Sequence, residues 1–105
     1  MEQSSKSERK AKVEAWRGHE RRKARLLFPL TDARLQQFFA TLERLRAEHG
    51  CFHDIRHSLQ VIQSMHLSEA ETDSLLDWCN AHGGFCDCEI AGNTYEYWEA
   101  NRDRA

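Results

Sequence analysis

The sequence predicts a mainly α-helical single domain: a small bundle of three to five helices with one short extended Cys-rich segment. Three observations carry that prediction. Apolar residues recur at three- and four-residue spacings, as Leu35, Phe38, Phe39, Leu42 and Leu45 do. Helix start and stop residues bracket such blocks, with Ser68 and Glu71 readable as a capping box and Gly50 and Gly83-Gly84 as stops. Period-two alternation is confined to Phe85 through Ile90, too little for a sheet of its own. A chain of 105 residues has room for a single modest core.

The first helix is expected from about Ser7 to Phe28, rich in Ala, Glu, Lys and Arg but sparse in apolar marks. Gly18 interrupts it, and propensity alone barely sustains such a segment in water. Residues 1–28 therefore read as a basic, partly ordered helix or arm, residues 29–101 as the compact helical domain, and residues 102–105 as a tail. Pro29 ends the arm, and Thr31 or Asp32 caps the second helix, whose buried stripe runs from Leu35 to Leu45. Asp54 can cap a third helix that carries Ile55, Leu59, Ile62 and Met65. The fourth opens at Ser68 and lines Leu75, Leu76 and Cys79 on one side, with Trp78 beside them. A last helix, Tyr95 to Asn101, is expected behind an Asn93 or Thr94 cap.

Charge is spread unevenly. Residues 1–25 hold nine of the fifteen Lys and Arg but only four of the seventeen acids, and every lysine lies there. Lys10, Arg17, Arg21, Arg22 and Arg25 are thus candidates for binding nucleic acid or an acidic partner, a second copy included. Glu8, Glu14 and Glu20 dilute the field, and the Gly/aromatic interleaving of single-strand binders is missing. A solvated helix is the plainer reading. No run is long and apolar enough for a membrane span, and the N-terminus lacks the apolar stretch of a signal peptide. A cytoplasmic location without membrane contact is the expectation, and there cysteines stay free or bind metal.

Cys51-Phe52-His53 and Cys86-Asp87-Cys88 each follow a helix stop, where side chains can converge without breaking a helical ladder. Cys86 and Cys88, if extended, put their Cβ atoms on one face about 6.6 Å apart, which modest curling brings to the roughly 3.8 Å of two sulfurs on zinc. A bridge between these two would be strained, so the spacing favours shared ligation. Cys51 with His53 or His57 completes a soft set for a structural zinc in a non-enzymatic adaptor or regulatory domain. Small buried thiols explain the same cysteines without metal. Thiol redox or metal-dependent catalysis at Cys51, Cys86 and Cys88 is a further alternative. His53-Asp54-Ile55-Arg56-His57 mimics a metalloprotease helix motif, but an Asp54 cap leaves His53 outside the helix.

Cys51-x4-Arg56-x-Ser58, followed by Gly83-Gly84-Phe85-Cys86-Asp87-Cys88-Glu89-Ile90 and Asn93, resembles the bacterial domain of unknown function 2695. The resemblance covers roughly residues 35–95, and Ser58 stands where a threonine is usual. It implies special weight for Cys51, Arg56, Cys86, Asp87, Cys88, Glu89 and Asn93, and it implies no activity. If the third and fourth helices form a hairpin, Arg56 can pair with Asp87 or Glu89, and Asn93 can hold the turn after Ile90.

Overall fold

The computed structural model describes residues 6–103. Residues 1–5 and 104–105, at the outer ends of the predicted arm and tail, lie outside the described residues. The protein is a small helical domain: α1 (Lys6–Leu26), α2 (Asp32–His49), α3 (Arg56–Ser64), α4 (Glu69–Ala81), α5 (Asp87–Glu89), a π-helical segment (Ile90–Thr94) and α6 (Tyr95–Asn101). No strand occurs among the described residues.

Local chemistry accounts for the principal boundaries. Thr31 Oγ1 accepts the Arg34 N–H at the start of α2, and Gly50 ends that helix at φ +79°, a region where a side chain is strained. Ser68 and Glu71 form the reciprocal capping box of α4. Gly83 leaves α4 at φ +80°. Gly84 is present for another reason. A Cβ there would collide with Thr94 Oγ1, lie 2.8 Å from Ile90 Cγ1 and 3.1 Å from the Cys79 carbonyl. Its missing side chain lets the turn after α4 press against the π-helical segment.

The core is built around α2. Leu35, Phe38, Phe39 and Leu42 are buried as one stripe, with Leu45 partly buried at its end. Phe39 is the aromatic hub: its ring meets Phe38, Trp78, Tyr95 and Trp98 at centroid distances of 5.3 to 6.3 Å. Trp98 Nε1 donates to Asp32 Oδ1 at 3.0 Å, and the Asp103 N–H donates to Asp32 Oδ2 at 3.1 Å. Asp32 therefore ties the chain end to the start of α2, a role outside the predicted cap.

Three local expectations shift. The buried stripe of α3 is Ser58, Val61, Ile62 and Met65, while Leu59 is 43% exposed, because α3 starts at Arg56 and its first turn is rotated inward. The predicted extended segment shrinks to Cys86, at φ −144°, ψ 170°; Asp87–Glu89 turns helical, with the Ile90 N–H donating to the Cys86 carbonyl at 2.9 Å. An isolated strand would leave backbone groups unpaired, and the helical turn satisfies them. The cap predicted at Asn93 or Thr94 is likewise replaced, since the chain enters α6 already helical from the π-helical segment.

The molecule measures 60 × 26 × 23 Å with a radius of gyration of 17.1 Å, against about 13 Å for a compact chain of this length. α1 is the cause. It buries no residue and meets α6 near its C-terminal end, where Arg25 Nη1 donates to the Asn101 carbonyl at 3.0 Å.

Gly84→Ala is expected to lower stability by about 2 kcal/mol through overpacking, read as a lower denaturant midpoint at unchanged m-value.

Candidate functional site

Two bends far apart in sequence meet at one corner: the 50–55 connection between α2 and α3, and the turn that leads from α4 into α5. The Asp87 N–H donates to the Asp54 carbonyl at 2.8 Å, which docks one bend on the other. Beside this contact Cys51 and Cys88 form a disulfide, with Cα atoms 6.2 Å apart. That spacing is ordinary for a bridge.

Asp87 organises the corner. Its side chain is fully buried, and its carboxylate accepts the His57 N–H at 3.0 Å, the Ser58 N–H at 2.9 Å and the Ser58 hydroxyl at 2.6 Å. These amides belong to the first turn of α3, whose N-cap residue Ile55 offers no side-chain acceptor. A residue thirty positions away thus caps the helix. The negative charge also sits at the positive end of the α3 dipole.

The other candidates are engaged in different ways. His57 is buried, and its Nε2 donates to the Gly50 carbonyl at 2.9 Å, bracing the bend across its base. Arg56 pairs with Asp54, Nη2 to Oδ2 at 2.8 Å, and its guanidinium lies 4.1 Å from the Phe52 ring centroid. The Arg56 hydrogen bonds hold the Asp54 carboxyl down at about 2, well below the usual carboxylate range. The expected pairing of Arg56 with Asp87 or Glu89 is therefore corrected. Asp54 is two residues away and already accepts the Arg56 N–H, while Asp87 is occupied by α3. Glu89 is exposed. Asn93 Nδ2 donates to the Gly83 carbonyl at 3.0 Å, so it fastens the end of α4 rather than the turn after Ile90.

The predicted ligand set is brought together only in part. Cys51 and Cys88 meet, Cys86 is free and half-buried, and His53 is exposed at φ +60° ahead of α3. Among the described residues no three His, Cys, Asp or Glu side chains are grouped to hold a metal ion. α3 packs chiefly on α2, and an open trough of about 1150 Å³ is lined by residues of α3 and of the start of α4. Cys79 is core, as its place in the α4 stripe predicts, and burial pushes its thiol up to about 12.

Lys10, Arg17, Arg21 and Arg22 lie exposed along α1, and Arg25 is half-buried against α6. Residues 6–26 hold nine Lys or Arg and three Glu, and Val13 and Trp16 are 45% and 63% exposed on the same helix. Sequence reasoning missed Ser58 and Asp32 as structural partners. In the sequence Ser58 stands out only where a threonine is usual, and the polar side chain of Asp32 gives no sign of a partner 66 residues away.

A family model described as a protein of unknown function, DUF2695, matches residues 38–93, more than half of the chain. The chain belongs to the DUF2695 family. That match spans the corner, from the centre of α2 to Asn93, and leaves α1 outside. The DUF2695 chain is 28% identical over 88 residues to the uncharacterized protein Rv2271 of Mycobacterium tuberculosis, covering 84% of this chain and 86% of the relative. The uncharacterized protein Mb2294 of Mycobacterium bovis matches to the same extent. No solved structure matches. No helix among the described residues is long and apolar enough to cross a membrane.

Asp87→Ala strips two backbone amides and a hydroxyl of their buried acceptor and is expected to cost about 3 kcal/mol. Asp87→Asn keeps an acceptor and should cost less. Denaturant unfolding followed by circular dichroism measures both, and equal, negligible losses would show that the α3 cap is dispensable.

Proposed function

We propose that this protein is a non-enzymatic adaptor-type domain whose helical body presents α1 as the binding element for an acidic protein surface. The observation that carries the reading is α1 itself: a 21-residue helix with a surplus of six positive charges that buries none of its side chains. A helix polar on nearly every side is stable chiefly when something else packs on it. Exposed Val13 and Trp16 supply apolar contact, and Arg17 supplies charge. Interspersed Glu8, Glu14 and Glu20 suit a mixed protein surface better than a phosphate backbone.

The corner supports the non-enzymatic part. Asp87, His57 and Arg56, the groups best suited to acid–base or electrostatic work, are each spent on internal bonds.

Polyglutamate and a DNA oligonucleotide are the probes. Polyglutamate binding should weaken at least tenfold between 50 and 200 mM salt, and again in a Lys10→Glu, Arg17→Glu variant whose helicity is unchanged. Tighter, steeply salt-dependent binding of DNA would move the reading to nucleic acid. Binding indifferent to both salt and the variant would end it.

A second reading concerns the same corner in a reducing, cytoplasmic setting, where Cys51 and Cys88 are thiols. Two sulfurs from distant bends within bonding reach are half of a structural zinc site, with Cys86 two residues away. Elemental analysis of tag-free protein purified under reductant decides it. One zinc per chain, lost on Cys51→Ser, supports a metal corner; metal-free protein with four titratable thiols and an unchanged fold removes it.

A further inference from the structure

We propose that the crevice between the C-terminal half of α1 and the end of α6 is a binding site for a diphosphate-bearing anion. It encloses about 510 Å³ and is lined by Arg21, Arg22, Arg25 and Arg102, with Gly18 as part of its wall. Asp103 is the acid among its described lining residues, so the wall carries four positive charges against one negative. That volume lies in the range of small-ligand sites.

Two of the arginines, Arg21 and Arg22, converge rather than splay. A Cβ placed on Gly18 would lie 3.6 Å from Arg22 Nη1 and 3.7 Å from Arg21 Nη2, so both guanidinium groups fold over the same stretch of backbone. Arg25 is held across the crevice by its bond to the Asn101 carbonyl. Arg102 comes from the other side, its guanidinium 4.6 Å from the Trp98 ring centroid and 3.7 Å from Glu99 Oε2. Its Nε is buried with no hydrogen-bond partner among the described residues. Like charges gathered around one space repel, and a multiply charged anion relieves that repulsion. Guanidinium forks match phosphate oxygens in pairs, and two adjacent phosphates give several arginines an oxygen each. A single carboxylate would leave most of these donors unused.

The site goes beyond the adaptor reading, because its ligand is a small anion and Arg102 lies outside α1. Pyrophosphate, adenosine diphosphate and sulfate, titrated calorimetrically into the full chain at equal ionic strength, test it. Pyrophosphate should bind saturably at one per chain, and Arg22→Gln and Arg102→Gln should each weaken it roughly tenfold. Arg44→Gln, an exposed arginine on α2, should leave it unchanged. Equal affinities for pyrophosphate and the nucleotide assign the site to a free diphosphate, and tighter nucleotide binding assigns it to a nucleotide. Sulfate binding as tightly as pyrophosphate, saturation absent at millimolar ligand, or affinity intact in Arg22→Gln would overturn the proposal. Should Arg102→Gln disturb the packing on Trp98, the exposed Arg22 variant still decides. Polyglutamate binding that persists while pyrophosphate binding fails would leave the adaptor reading standing alone.

Discussion

The buried carboxylate of Asp87 is the constraint on which the corner depends. In a nine-residue helix whose N-cap is isoleucine, Asp54 Oδ1 takes the Arg56 N–H locally, but no local side chain takes the amides of His57 and Ser58, and in isolation so short a helix is not stable. Asp87 supplies the acceptors from thirty residues away, and the same residue's N–H fastens the preceding bend through the Asp54 carbonyl. α3 has its first amides satisfied by α5, and α5 is held in turn by the amides of α3. The interaction is reciprocal, so the two bends are one cooperative unit.

Several features around the corner follow from that coupling. Because the amides of His57 and Ser58 turn inward to meet Asp87, the buried stripe of α3 falls on Ser58, Val61, Ile62 and Met65, and Leu59 is left outside. His57 is carried beneath the bend, where it braces the Gly50 carbonyl. Cys51 and Cys88 flank the contact and close it covalently. Arg56, pushed to the outside, settles on its neighbours Asp54 and Phe52. The family match covers this unit and not α1.

The body and the arm divide the chemistry between them. In the body, polar groups are consumed by one another: Asp32 by Trp98 and the Asp103 amide, Arg34 by Glu71 and the Met65 carbonyl, Asn93 by Gly83. Along α1 the reverse holds, since the helix is anchored near one end through Arg25 and keeps most of its other cations in solvent. Electrostatic energy there is available for binding because folding has not used it.

Local order fixed the helices of this protein. The spacing of Leu35, Phe38, Phe39 and Leu42, the box at Ser68 and Glu71, and the glycine stops all act within a few residues, so they can be read in one dimension. The Cys51 and Cys88 bends were also marked, as loops rich in sulfur. Which atoms would meet there was decided only by tertiary structure. Asp87 could have faced Arg56, as far as spacing goes. The choice was made by the desolvation of two helix amides, a cost that exists only once α3 is packed on α2. A partner thirty residues off carries no periodic signature, and neither does the rotation of α3 that it imposes.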